Sequence, residues 1–264
     1  MTEFRDVNGK VAIITGAARG LGKGIAETLA SEGVQTVMAD MLPQVRDSFE
    51  EVKKKNPTNK GYAVALDVSD ENAVKDLVEN AVKKLGKLDI MVNNAGMHLE
   101  TGKVWEIETS KLDRVMSVNF KGIFFGCKYA AIQMIKQKSG TIVNTGSFFG
   151  KVGHADSAAY GASKAAVHTM TQSLALELAP YGVTANALCP GLAATDMHWG
   201  FVRADADIRG ISFEEMKQLE LKQIPLGRYG YGSDMAGAIM WLATPSGSYV
   251  TGQLININGG LDFS

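Results

Sequence analysis

In the run SAAYGASKAA, Ser157 to Ala166, a tyrosine and a lysine stand four residues apart among small side chains. Both groups ordinarily titrate near pH 10, and residues four apart share one face of a helix. In isolation the pair reads as a surface tyrosine beside a solvated lysine. Thirteen residues upstream, however, Ser147 closes the strand-like run GTIVNTGS. In an open α/β sheet the ligand crevice lies at the carboxyl ends of the strands, so Ser147 is expected beside Tyr160 and Lys164. Moving a hydride between an alcohol and a nicotinamide requires a proton to leave or reach the substrate oxygen. A cationic lysine favours phenolate and is expected to lower the tyrosine pKa. The expected roles are Tyr160 as acid/base, Ser147 as hydrogen-bond partner of the substrate oxygen, and Lys164 as support for the phenolate and binder of the nicotinamide ribose.

A second constellation, TGAARGLGKGIAETLA from Thr15 to Ala30, follows the first strand-like run and leads into a helical one. Gly16 allows a sharp turn, Gly20 a close backbone approach to a pyrophosphate, and Gly22 close helix–strand packing. Together with Arg19 and Leu21 they form a candidate cradle at a helix N-terminus, where amides and dipole favour phosphate. Asp40 ends the second strand about twenty residues on, where a carboxylate accepts from the adenosine ribose and repels a 2'-phosphate. That favours NAD over NADP. Arg19 opposes it, since a guanidinium there could pair with the phosphate. Asp67, followed by Val68 at the end of the third strand, either bonds adenine or caps the helix beginning near Asp70.

These residues need a scaffold that brings strand ends together. Seven β-rich runs, KVAIITG, QTVMAD, YAVALDV, LDIMVNNAG, GTIVNTGS, TANALCPG and LININGG, alternate with helix-length segments. The pattern predicts a doubly wound sheet of seven parallel strands with helices on both faces, a Rossmann-like α/β fold. No Pro-, Gly- or Ser-rich linker divides the 264 residues, so residues 1–264 are expected to form one domain. The segment at about 193–224 departs from the alternation and carries aromatic and acidic residues, as a lid over a ligand would. A formal net charge of -1 and 45% hydrophobic residues offer no nucleic-acid-binding or membrane surface. Cys127 and Cys189 are expected to be buried thiols, no metal-ligand spacing is evident, and the start MTEFRDVNGK lacks a signal-peptide pattern. The expectation is a cytoplasmic protein.

The pieces TGAARGLG, NNAG (Asn93 to Gly96), SVNFKG, Ser147, YGASK and PGLAATDM together resemble the short-chain dehydrogenase/reductase family, from about Gly9 to Gly260. The resemblance implies that Asn119 is a fourth catalytic residue, its backbone at a helix distortion holding a water between Lys164 and solvent. It implies that Asn94, Ala95 and Gly96 support the sheet and contact the adenosine ribose. It also implies that Pro190, Gly191, Ala193 and Thr195 grip the carboxamide side of the cofactor, and that the chain is a homotetramer. Ala193 stands where the family usually has Ile or Val, which implies a less tightly packed nicotinamide face, and NTGS replaces the commoner serine pair. Phe149, His154, His98, Met197 and Trp199, with Ser147, are the expected substrate contacts. A small polyol, sugar or sugar alcohol oxidised with NAD is the favoured reading; an NADPH-dependent ketoreductase for acyl, steroid or other carbonyl substrates is the alternative.

Overall fold

The computed structural model describes residues 6–99 and 102–264; the first five residues of the stretch read for a leader lie outside them. The strands are β1 (Val11–Thr15), β2 (Gln35–Asp40), β3 (Tyr62–Ala65), β4 (Ile90–Asn93), β5 (Gly140–Thr145), β6 (Val183–Pro190) and β7 (Leu254–Ile257). They form one sheet in the order β3-β2-β1-β4-β5-β6-β7, every neighbouring pair parallel. The chain winds outward from β1 to β3, then returns to place β4 on the other side of β1. That reversal opens a crevice at the carboxyl ends of β1 and β4.

The helices are α1 (Gly20–Ser31), α2 (Val45–Lys55), α3 (Glu71–Leu85), α4 (Thr109–Met116), α5 (Ile123–Gln137), α6 (Ala158–Leu178), α7 (Asp196–Arg209), α8 (Phe213–Leu221) and α9 (Gly232–Leu242). Alternate strand residues face opposite layers. Ile14, Met38, Val92 and Val143 pack with Ile25 and Leu29 of α1, Phe49 of α2 and Ile239 of α9. Ile13, Val37, Met91 and Ile142 pack with Leu77 of α3, Met134 of α5 and Val167 of α6. Both faces of the sheet are therefore covered, which explains why the strands read as continuous apolar runs. Among the described residues no helix is long and apolar enough to cross a membrane.

Two strands stop earlier than the sequence pattern suggests. β5 ends at Thr145, and Ser147 instead caps a 3-10 turn, Phe148–Gly150. β3 ends at Ala65; Asp67 lies in the following turn, and Asp70 is the residue that caps α3, accepting from the Asn72 and Ala73 amides. Segment 193–224 holds α7 and α8, packed on each other around Val202, Ala206 and Met216.

Candidate active site

The β1–α1 turn is built by steric exclusion. Gly16 has φ +66, and a Cβ there would stand 2.8 Å from Ala95 Cα. A Cβ on Gly22 would stand 2.1 Å from the Gly16 carbonyl oxygen, so any side chain would force helix and turn apart. No side chain caps α1 and no acidic residue occupies its first turn, which leaves its amides and positive dipole end for an anion. Leu21 continues this first turn. Thr195, which caps α7 by accepting from the His198 amide, lies across the loop, its methyl 3.2 Å from where a Gly20 Cβ would be.

Asp40 is buried at the end of β2, where one carboxylate oxygen accepts from the Ala18 amide and the other from the Leu42 amide, each at 3.0 Å. Each oxygen retains acceptor capacity. Arg19 is paired with Asp196 at 3.1 Å, both side chains about two-thirds exposed. Asp67 accepts from the Ser69 amide and hydroxyl and from Arg114. Burial raises its pKa, but the Ser69 and Arg114 bonds outweigh that and hold it below the ordinary value. Val68 is buried, so close to α5's start that a Cβ on Gly122 would meet it at 2.7 Å.

Asn94 is bound into the sheet: its side-chain amide donates to the Thr15 carbonyl at 2.9 Å, and its backbone amide and that of Ala95 both donate to Thr15 Oγ1 at 3.0 Å. Gly96 lies between the side chains of Asn119 and Lys164, a Cβ there falling 3.4 Å from Asn119 Oδ1 and 3.6 Å from Lys164 Nζ. Asn119 sits in a π-helical turn, Ser117–Gly122, between α4 and α5. Its side chain is fully bonded: Oδ1 accepts from the Met97 amide at 2.8 Å, and Nδ2 donates to the Met97 carbonyl at 2.8 Å and to Ser163 Oγ at 3.1 Å. The side chain thus ties the β4 loop to α6. After Pro190 ends β6, Gly191 lies against Asn258, and Ala193 is buried and bridged to Gly230.

Tyr160 and Lys164 lie one turn apart on α6, with Nζ 5.7 Å from the phenol ring centroid. Lys164 is 2% exposed, its ammonium donating to the Thr145 carbonyl at 2.7 Å, and burial pushes its pKa down to about 8. The expected lowering of the Tyr160 pKa is not what the protein alone produces. Burial raises it, while a hydrogen bond from the Ser147 hydroxyl pulls it back only partly. The phenol is raised because it is buried, and the one hydrogen bond the Lys164 ammonium makes among the described residues goes to the Thr145 carbonyl.

On the open side, His98 stacks on Tyr160 with centroids 4.4 Å apart and planes 18° apart, and leans on Phe201 at 4.5 Å. Burial lowers the His98 pKa to about 4, so the ring is neutral at pH 7, and its buried Nε2 has no partner among the described residues. Phe149 meets Tyr160 edge-on at 6.0 Å and carries the exposed His154 stacked on its far face at 3.8 Å. Met197 points to solvent. Trp199 does not join Tyr160; it packs against Tyr229 at 4.9 Å, Phe213 at 6.0 Å and the Lys217 ammonium. Phe201, absent from the expected contacts, takes that place. With Thr195 as cap fixing the helix phase, residues 199 and 201 lie about 200° apart around α7, so the cap was the signal that separates them.

Residues 16–262 match a family model described as enoyl-(acyl carrier protein) reductase. A diacetyl reductase forming (S)-acetoin from Staphylococcus epidermidis is 42% identical over 266 residues, covering 96% of this chain and 98% of that protein. The 3-oxoacyl-[acyl-carrier-protein] reductase FabG of Staphylococcus aureus is 37% identical over 254 residues, covering 96% and 98%. Among solved structures, one from Sinorhizobium meliloti described as a short-chain alcohol dehydrogenase superposes with a TM-score of 0.88 at 32% identity, covering 98% of both chains.

Proposed function

The chain belongs to the short-chain dehydrogenase/reductase family and is an NAD(P)-dependent oxidoreductase of alcohols and ketones; from that premise we propose that it uses NAD and acts on a small, vicinally oxygenated alcohol or ketone of the polyol and hydroxyketone class. The observation that carries the substrate class is His98, a neutral imidazole stacked on Tyr160 whose buried Nε2 has no partner among the described residues. A buried polar nitrogen left unsatisfied is costly, and a second oxygen next to the reacting carbon would satisfy it. A relative that reduces diacetyl, a vicinal diketone, is in keeping with this reading.

The residues present fit a dinucleotide. Gly16 and Gly22 of the cradle have no room for a side chain, the α1 amides are uncapped, and Asp40 has acceptor capacity where a ribose would lie. When bound, NAD supplies the acceptor for the hydride of the alcohol. Gly16, Arg19, Gly20, Leu21 and Gly22 would hold its phosphates, Asp40 its adenosine ribose, and Asp67, Val68, Asn94, Ala95 and Gly96 the adenosine side. Pro190, Gly191, Ala193 and Thr195 would flank the nicotinamide side. Arg19 does not weigh against NAD, because its carboxylate partner, Asp196, already meets it at the surface. Ser147 holds the substrate oxygen, Tyr160 takes the proton from it, and Lys164 supports the phenolate that precedes transfer. The backbone of Asn119 in the π-helical turn is the proposed water site leading from Lys164.

A second reading, NADPH-dependent reduction of acyl or other carbonyl substrates, is favoured by the aromatic walls Phe149 and Phe201 and by the FabG relatives. The proposed assembly is a homotetramer, supported by apolar side chains on outer helix faces, Phe124 of α5 at 44% and Leu176 of α6 at 79% exposed, and by β7 as an open sheet edge. The deciding experiment is a panel of polyols, sugars, hydroxyketones, diketones and 3-oxoacyl thioesters assayed with both cofactors. The highest kcat/KM is expected for a vicinally oxygenated compound with NAD(H). A thioester reduced best with NADPH would replace this reading with the second.

A further inference from the structure

α6 carries a third functional group on the face that presents Tyr160 and Lys164. His168 follows Lys164 by four residues and is buried directly behind the turn that bears Ser147. Its Nε2 accepts from the Ser147 backbone amide at 3.4 Å and lies 3.5 Å from Cys189 Sγ of β6. A neutral ring that accepts at Nε2 carries its proton on Nδ1, and the Gly150 backbone, at the far end of the same turn, acts on the imidazole to raise its pKa against burial. Burial, with Lys164 and Lys151 nearby, lowers its pKa to about 4 and so keeps the ring neutral.

The turn fits closely around this ring. A Cβ on Gly146 would stand 2.5 Å from His168 Nε2, and one on Gly150 would stand 2.7 Å from Cε1. Both flanks of the serine-bearing turn are therefore bare backbone against imidazole. An aliphatic side chain could fill this volume, but it would offer the Ser147 amide no strong acceptor, only the thiol of Cys189.

We propose that His168 is a positioning residue whose imidazole spans the turn from Ser147 to Gly150 and thereby sets the Ser147 hydroxyl against Tyr160. Tyr160 and His168 are two turns apart on one helix, about 12 Å along its axis. One rigid element thus fixes the phenol in front of Ser147 and the backbone behind it. The inference rests on Ser147 and Tyr160 being the residues that hold and deprotonate the substrate oxygen.

The test is a double-mutant cycle between His168→Leu and Ser147→Ala, read by kcat, substrate KM and NADH binding by fluorescence. His168→Leu is expected to lower kcat at least tenfold, with substrate KM and NADH affinity within threefold of wild type. His168→Gln, which keeps a donor and an acceptor, is expected to recover most of the loss. In the Ser147→Ala background His168→Leu should cost less than a further twofold, because a residue acting through Ser147 has nothing left to position. Should His168→Leu fail to fold, His168→Asn takes its place in the cycle with the same expected non-additivity. A kcat within twofold of wild type, losses that multiply across the cycle, or equal impairment in the Gln and Leu variants would each overturn the proposal. If Ser147→Ala alone leaves turnover unchanged, the assignment of Ser147 fails first, and this is distinguishable because it involves no change at His168.

Discussion

At Lys164 an ammonium is 2% exposed, with the Thr145 carbonyl as its hydrogen-bond acceptor. Burial pushes its pKa down from an ordinary 10.5 to about 8. Between those values the unfolded state binds more protons, so stability rises with pH; below pH 8 the buried charge imposes its full penalty. Lys164→Met is therefore expected to abolish turnover and yet raise the melting temperature of the cofactor-free protein at pH 7. The stabilisation is on the order of 3 kcal/mol at most, and it should shrink as the melts are repeated from pH 8 toward 10.5. At Asp40 the expectation concerns selectivity. Asp40→Asn removes the charge that repels a 2'-phosphate, so the ratio of kcat/KM for NAD over NADP should fall at least tenfold. The Tyr160–Lys164 spacing and Asp40's place at a strand end were legible as types at intervals. The orientation of the Lys164 ammonium toward Thr145 and the burial that raises the phenol were not, because both depend on how the folded chain closes around α6.

Among the elements, the β1–α1 turn has the least tolerance. Gly22→Ala would place a methyl 2.1 Å from the Gly16 carbonyl, so it is expected to destabilise the fold by about 2 kcal/mol and weaken NADH binding more than tenfold, measured by thermal melting and fluorescence titration. The strand–glycine–helix order showed this element in the sequence. The π-helical turn at Asn119 had no local pattern to announce it; SVNFKG reads as continuous helix, and only the family resemblance pointed to a distortion. α7 was half legible: a mixed aromatic segment was evident, but its phase, which sends Trp199 into the α7–α8 core and Phe201 toward His98, is set by the Thr195 cap. His168 escaped notice for a related reason, since a histidine two turns beyond a tyrosine gains meaning only once the Ser147 turn is folded against it.

For the molecule as a whole, the alternation of strands and helices was enough to give the sheet, because strands covered on both faces must be apolar throughout. Which outer faces would meet another copy in the proposed tetramer was not legible, since a leucine in a helix-length run does not show whether it faces the core or, as Leu176 does, solvent. Light scattering in solution is expected to give four copies per particle; a monodisperse monomer would contradict the proposed assembly. All scales converge on a single proton transfer. The sheet opens the crevice, α6 brings Tyr160 and Lys164 into it, the Ser147 turn faces them, and in the proposed mechanism Tyr160 moves the proton. The direct test is kcat for Tyr160→Phe on the best substrate of the panel, with NADH binding measured alongside. The account predicts a loss of at least a hundredfold with cofactor binding intact; turnover within twofold of wild type would contradict it.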